Sequence, residues 1–480
     1  MLEIKNFING EFAPSQNGKT LDLYDPATGK AYGTLPASNG IDVVMAYQSA
    51  RKAYESWSKS DVKKRVKIFN KIADLIDQNL EALAQAESKD VGKPLWLAKE
   101  VDIPRAALNF RYFAGLIEHH IDQSSQLKNT INYTLNQPMG VAGLISPWNL
   151  PLYLLTWKIA PALIVGNTAI CKPSEVTPAT AFMLGEILNE AGLPPGVCNI
   201  IHGNGADAGA AIVSHPGIPL VSFTGGTDTG EKISQLAAPH FKKVGLELGG
   251  KNANIIFKDA DLKKAVKGTI RSSFLNSGQI CLCGSRVFIQ DGIYDEFMAE
   301  FTKQVKELKV GDPCDKNNFM GPVVSKEQFE KVNAAIAQAK KENGVVVCGE
   351  ENIDLPEENK GGYFIRPTVI ADLTDCSDLW QKEIFGPVIT VRSFKYAHEA
   401  ATLANTNSYG LSASIWTKDL ARAHKTAAAV EAGTVWVNTW LKRDLRMPFG
   451  GMKHSGIGRE GADRSLSFYT EQKTVCINYG

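Results

Sequence analysis

Short apolar runs alternate with amphipathic helical stretches along almost the whole chain. That rhythm restricts the fold more than any other feature. Ile41 to Trp57 and Lys63 to Ser88 place apolar residues three and four apart, as helices with one buried face do. Val141 to Ser146 and Thr168 to Cys171 are brief and apolar, suited to strands covered on both faces. Thr177 to Asn189 reads as helix, Cys198 to His202 and Leu220 to Phe223 as strands, and TGGTDTGEKISQLA as a Gly-rich turn entering a helix. The pattern resumes after GGKN, with helices over Leu262 to Leu275 and Tyr294 to Leu308 and strands over Val287 to Gln290 and Val345 to Cys348. Strands separated by helices need crossover connections, and therefore parallel sheets. A chain of 480 residues exceeds what one core usually serves. We expect two successive α/β halves meeting near Gly249–Gly250. The final KTVCINY alternates Val475, Ile477 and Tyr479, an edge strand able to pair with another subunit.

Composition narrows the function classes. A net charge of +1 gives no reason to expect nucleic acid or anionic membrane as a partner. The N-terminus, MLEIKNFINGEF, has charges at Glu3, Lys5 and Glu11 and no apolar core of a signal peptide. The longest uncharged stretch, Asn129 to Trp157, is broken by Pro138, Pro147, Asn149 and Pro151, which argues for buried strand and loop over a membrane span. Eight cysteines are scattered without framework spacing, so we expect free thiols and a cytoplasmic protein.

Two of those cysteines, Cys281 and Cys283, sit one residue apart in FLNSGQICLCGSR, between a helix that stops at Asn276-Ser277-Gly278 and a strand. A structural zinc site would need four ligands, and no second pair accompanies them; no metal is expected. A redox couple normally has two intervening residues. Two buried thiols remain an open reading on residue type alone. Three other stretches favour chemistry. In VGLELGGKN, Glu247 lies between Leu246 and Leu248, and a carboxylate in so apolar a strand is costly unless paired or working. In ISPWNLP, Asn149 sits at a strand end between two prolines, a turn rigid enough to fix an amide. In EIFGPV, Glu383 and Phe385 precede a Gly-Pro turn. Each also has a structural reading: solvated edge, turn former, surface charge. The GNGADAG run at Gly203 to Gly209 departs from G-x-G-x-x-G and is weak evidence for a nucleotide.

Taken in order, PWNLP, CKPSEVTP, FTGGTDTG, LELGGKN, FLNSGQICLCGSR, EIFGPV and PFGGMKHSGIGREG make the chain resemble the NAD(P)-dependent aldehyde dehydrogenase superfamily over nearly its whole length. The resemblance implies a doubly wound α/β NAD-binding domain over residues 1-119 and 139-249. It further implies a second α/β catalytic domain over 250-447 and small β oligomerisation arms over 120-138 and 461-480. It makes Cys281 the nucleophile, Glu247 the general base and Asn149 the oxyanion donor, and leaves Cys283 without a duty. A thiolate would attack the aldehyde, hydride would leave for the nicotinamide, and Glu247 would activate the water that cleaves the thioester. On the cofactor side it implies Lys172 and Glu175 at the adenosine ribose, Gly225 and Gly226 at the pyrophosphate, Glu383 at the nicotinamide ribose, and Trp148 and Phe385 nearby. Glu175 would repel a 2′-phosphate, so NAD is expected over NADP. Many relatives carry serine where this chain has Gly226.

The finer resemblance, carried by DIPRAALNFRYFAG, QICLCGSRVFIQ and NTWLKRDLRMPFGGMKHSGIGREG, is to the 2-aminomuconate and 2-hydroxymuconate semialdehyde dehydrogenase branch. It implies a substrate with a carboxylate at the end opposite the aldehyde. Arg105 and Arg443 match the positions that grip that carboxylate, a task suited to a planar guanidinium. Trp157 and Trp440 would line the entrance. Without the resemblance, Arg105 could be a solvated helix face and Arg443 part of a surface ion pair with Asp444. A general aldehyde dehydrogenase, a CoA-acylating enzyme and an inactive binding protein on the same fold are the alternatives. The expected assembly is a homodimer or homotetramer.

Overall fold

The computed structural model describes residues 1–480. Its first large sheet has five parallel strands in the spatial order Lys243–Glu247, Leu220–Thr224, Val141–Ile145, Thr168–Lys172, Cys198–Ile200. Successive strands are added outward from Val141–Ile145, first on one side and then on the other. Neighbours therefore diverge at Val141–Ile145 and Leu220–Thr224, whose C-terminal ends lead into Pro147–Asn149 and Gly225–Gly226. Open parallel sheets bind their ligands at such a switch point. Both faces are covered: Ala142 and Leu144 pack into one cluster, Val141 and Ile145 into another. This is why the strand reads as a continuous apolar run.

The second large sheet has six parallel strands in the order Thr368–Ala371, Val388–Phe394, Arg286–Gln290, Ala253–Ile256, Ser412–Trp416, Thr434–Val437, with Val345–Cys348 antiparallel at one edge. Glu247 ends a strand of the first sheet and Ala253 begins one of the second. The site residues of this stretch thus lie where the C-terminal edge of one sheet meets the N-terminal edge of the other.

The terminal strand Thr470–Asn478 pairs antiparallel with Thr130–Pro138, which also pairs with Ser124–Leu127. Its partner on one side is this same chain; its other edge is open. A further small sheet, Leu2–Glu3, Lys30–Pro36 and Thr20–Asp25, has no counterpart in the sequence reading. The long helix expected over Lys63 to Ser88 is two helices, Val62–Gln78 and Leu80–Val91. Asn79 interrupts them by donating its side-chain amide to the Leu75 carbonyl. The apolar spacing runs through the break because both helices bury into the same core. No helix is long and apolar enough to cross a membrane.

Candidate active site

The thiol sits on an unusual piece of backbone. The helix before it ends at Phe274, within one residue of the expected Leu275. Asn276, Ser277 and Gly278 then all take left-handed conformations, with φ of 53°, 55° and 71°. Such strain persists only where surroundings enforce it. A Cβ on Gly278 would lie 2.2 Å from the Gly386 carbonyl oxygen, so the turn is pressed against the chain that follows Phe385. Gln279 donates its side-chain amide to the Asn276 carbonyl and accepts from the Val324 N–H at 3.0 Å. Asn252, from GGKN, donates to the carbonyls of Cys281 at 2.7 Å and Cys283 at 2.9 Å. The Trp440 indole N–H donates to the intervening Leu282 carbonyl at 2.9 Å. Three successive carbonyls are therefore held by side chains. Cys283 is buried, while Cys281 remains partly exposed. Burial, then the charges of Glu383 and Glu247, push the Cys281 thiol up, and Arg443 opposes them.

Asn149 is tied to the same turn. Its side-chain amide donates to the Gln279 carbonyl at 2.9 Å, and its own carbonyl accepts from the Asn276 amide at 3.1 Å. Its side-chain oxygen is buried without a partner. Glu247 is 6% exposed, and its Oε2 has no hydrogen-bond partner. Burial is the main force raising its pKa well above the carboxylate range, and Glu460 adds to it; Lys158, Arg443 and Arg459 act the other way. Lys158 bonds to both Glu460 and Ser222, at 3.0 and 2.9 Å. A neutral Glu247 in this setting can release its proton as pH rises and then accept one from water.

Two cavities meet at the thiol. The smaller, of about 190 Å³, is lined by Trp148, Asn149, Gly225, Gly226, Gly249, Glu383 and Phe385 among others. The larger, of about 450 Å³, includes Glu247, Arg105, Trp157, Trp440 and Arg443. Leu154, Thr224, Leu248 and Cys281 line both. On the small side, Gly226 caps the helix Thr227–Ala237 and no side chain bonds its first turn. The space where a Gly226 Cβ would project is open. Free helical N–H groups beside open space fit a pyrophosphate. Glu383 accepts from the Gly250 N–H at 2.9 Å, and a Cβ on Gly249 would collide with its carboxylate. Burial holds Glu383 at about 7. Phe385 has a left-handed φ of 61° and meets Trp148 edge to face at 5.1 Å. Lys172 is buried and bonded to Glu175 at 2.7 Å; this pair lines neither cavity.

On the large side, the guanidinium of Arg105 lies 4.9 Å from the Tyr153 ring centroid and 5.3 Å from that of Trp157. Its Nε donates to Asn109 at 3.0 Å, while Nη2 is buried with no partner. Arg105 is not a solvated helix face. Arg443 stacks 3.7 Å over the Phe449 ring and donates to the Tyr153 hydroxyl at 3.3 Å. Asp444 is bonded to Arg446 instead, so the surface ion pair does not involve Arg443. Tyr153 was missed in the sequence although it lies four residues from Asn149; nothing in the local pattern separates it from a packing aromatic. Lys158, Glu460 and Asn252 were missed for the same reason: their partners are distant in sequence.

The sequence profile of the aldehyde dehydrogenase family matches residues 12–475. The chain belongs to the aldehyde dehydrogenase family. This aldehyde dehydrogenase is 50% identical to 2-aminomuconic semialdehyde dehydrogenase of Mus musculus, over 100% of this chain and 99% of that one. It is 44% identical to 2-hydroxymuconic semialdehyde dehydrogenase of Pseudomonas sp. (strain CF600), over 99% and 100% of the two chains. The NAD+ complex of an aldehyde dehydrogenase from Bacillus cereus superposes with a TM-score of 0.97 at 42% identity, covering 100% of this chain and 97% of that one. Two packed α/β domains are the common architecture.

Proposed function

We propose that this enzyme carries out NAD-dependent oxidation of a carboxylate-bearing semialdehyde, of the 2-aminomuconate or 2-hydroxymuconate 6-semialdehyde class, to the acid. The unpartnered, buried Nη2 of Arg105, set in the same cavity as Arg443 and Cys281, is the observation that carries this reading. A desolvated guanidinium donor without an acceptor is costly, and a substrate carboxylate would supply the missing partner. The names of the most similar relatives point to the same class.

Cys281 is the nucleophile. As it loses its proton and attacks the aldehyde carbon, the oxygen becomes an alkoxide. The second N–H of the Asn149 amide and the Cys281 backbone N–H stabilise that charge. Gln279 and Asn276 hold Asn149 in place, so no reorganisation is needed at the moment of reaction. Bound NAD supplies the hydride acceptor, and the oxidised carbon is left as a thioester on Cys281. Glu247, across the cavity, then takes a proton from water as the water attacks the thioester. Gly225 and Gly226 would hold the pyrophosphate of NAD, Glu383 the nicotinamide ribose with Phe385 and Trp148 nearby, and Lys172 and Glu175 the adenosine ribose. The division into 1-119 with 139-249, 250-447, and arms at 120-138 and 461-480 belongs to this proposal, as does a homodimeric or homotetrameric assembly joined by the arms.

The test is NADH formation at neutral pH with 2-hydroxymuconate semialdehyde against an uncharged aldehyde of similar length, in the native enzyme and in Arg105→Ala and Arg443→Ala. A strong preference for the semialdehyde, erased by either substitution, is the expected result. Equal use of both aldehydes, indifferent to the arginines, would make this a general aldehyde dehydrogenase.

A further inference from the structure

Lys93, Glu87 and Asp102 form a fully buried ion cluster that the chemistry above does not use. The Lys93 ammonium bonds to Asp102 and, at 3.2 Å, to Glu87. All three side chains are at most 1% exposed. Buried ion pairs add little to stability compared with apolar packing; their attested use is to fix one arrangement among several. The arrangement at stake here is local. Asp102 is the last residue of a π turn, Ala98–Asp102, that feeds directly into the helix Ile103–Glu118. A π turn carries an extra residue and is less favourable than the α-helical turn it replaces, and such turns recur at functional sites. Arg105 follows three residues later, on the same helix face as Asp102. If the π turn relaxed to an α turn, everything after it would rotate by about one residue, roughly 100°. The guanidinium of Arg105 would then leave the cavity.

The second arm of the cluster reaches the other wall. Glu87 Oε2 accepts from the Leu152 N–H at 3.3 Å, in the first turn of the helix Pro151–Ile164. That helix carries Tyr153 and Trp157, the rings on which Arg105 lies. Asn109 links the same two helices by donating to the Tyr153 carbonyl and Thr156 while it accepts from Arg105. Asn149 is held separately, by Gln279 and Asn276. The cluster bonds to the supports of the arginine and makes no hydrogen bond to Asn149 or to the thiol loop; Leu97 and Val101 beside it share an apolar cluster with Leu275, Ile280, Leu282 and Cys283 of that loop.

We infer that Lys93, with Glu87 and Asp102, is a positioning device for substrate selection: it locks the π turn so that Arg105 faces the cavity. This rests on the carboxylate-grip reading above. The experiment compares Lys93→Met, Arg105→Ala and the double variant with 2-hydroxymuconate semialdehyde and with an uncharged aldehyde. Lys93→Met should raise KM for the semialdehyde about tenfold or more, since a displacement near 1 Å suffices for such losses. The uncharged aldehyde should keep its kcat and KM within about twofold, and Lys93→Met should add less than about twofold to Arg105→Ala. Parallel losses on both aldehydes, or full additivity with Arg105→Ala, would reduce the cluster to a structural element and overturn the inference. If Lys93→Met does not fold, Asp102→Asn, which leaves the Lys93–Glu87 pair, decides by the same comparison. If the native enzyme and Arg105→Ala treat the two aldehydes alike, the grip reading falls and this inference with it.

Discussion

The two cavities that meet at Cys281 are built differently. The small one is shaped by backbone: Gly225, Gly226 and Gly249 admit close approach, Phe385 is held at positive φ, and a helix N-terminus is left uncapped. The large one is shaped by side chains from distant elements: Arg105, Tyr153, Trp157, Arg443 and Phe449. Backbone geometry tolerates little variation and suits a ligand common to a whole family. Side-chain walls can be exchanged without moving the frame and suit the ligand that distinguishes one member from another.

The contrast can be broken at several points. Replacement of Cys281 by alanine, the one proposed reacting group common to both cavities, should abolish NADH formation with every aldehyde; residual oxidation measured with purified protein would remove the thiol from the centre of the mechanism. Asn149→Ala should lower kcat by about a hundredfold or more for charged and uncharged aldehydes alike, because an oxyanion donor acts on the reacting carbon and not on the substrate's far end. A loss confined to the semialdehyde would place Asn149 with the large cavity's selective wall. Arg105→Ala or Arg443→Ala should cost about tenfold or more in kcat/KM for the semialdehyde alone, the weight of one charge-assisted hydrogen bond of about 1.5–3 kcal/mol. The KM for NAD should stay unchanged in both, since neither arginine lines the small cavity.

The pH profile sharpens the comparison further. Burial raises both Cys281 and Glu247. Each works only after losing its proton, so groups with raised pKa are inactive at low pH and become competent as pH rises. Turnover measured from about pH 6 to about pH 9 should therefore climb several-fold. Glu460→Gln removes a negative neighbour of Glu247 and should shift that climb to lower pH. A flat profile would mean that neither proton limits the rate. The smallest effect is expected from Glu383→Gln, which keeps the shape of the small cavity: the KM for NAD should rise a few-fold, the cost of weakening one hydrogen bond, with the semialdehyde preference intact.

Much of the frame was readable without coordinates. The apolar runs at Val141–Ile145, Thr168–Lys172 and Leu220–Thr224 are strands because both of their faces are buried, and the amphipathic stretches between them are helices because only one of theirs is. What failed was local: Asn79 breaks a helix whose apolar spacing continues through it, and the left-handed turn expected at Gly278 extends back over Asn276 and Ser277. Side-chain hydrogen bonds and enforced backbone strain override periodicity in both places.

By itself the sequence determined the alternating α/β order and the motifs around Cys281, Glu247, Asn149 and Glu383, because each is written in residues close together in the chain. Only the tertiary structure decided which groups face one another. Arg105 and Arg443 are 338 positions apart, yet both border Tyr153, which no local pattern singles out. The clamp of Asn252 on the thiol loop, the Lys158–Glu460 pair beside Glu247, and the bond from the Leu152 N–H to Glu87 are likewise contacts between segments that are separate in the sequence. Periodicity reports which face of an element is buried. It carries no information about which other element buries it, and that pairing is what sets charge, orientation and selectivity at this site.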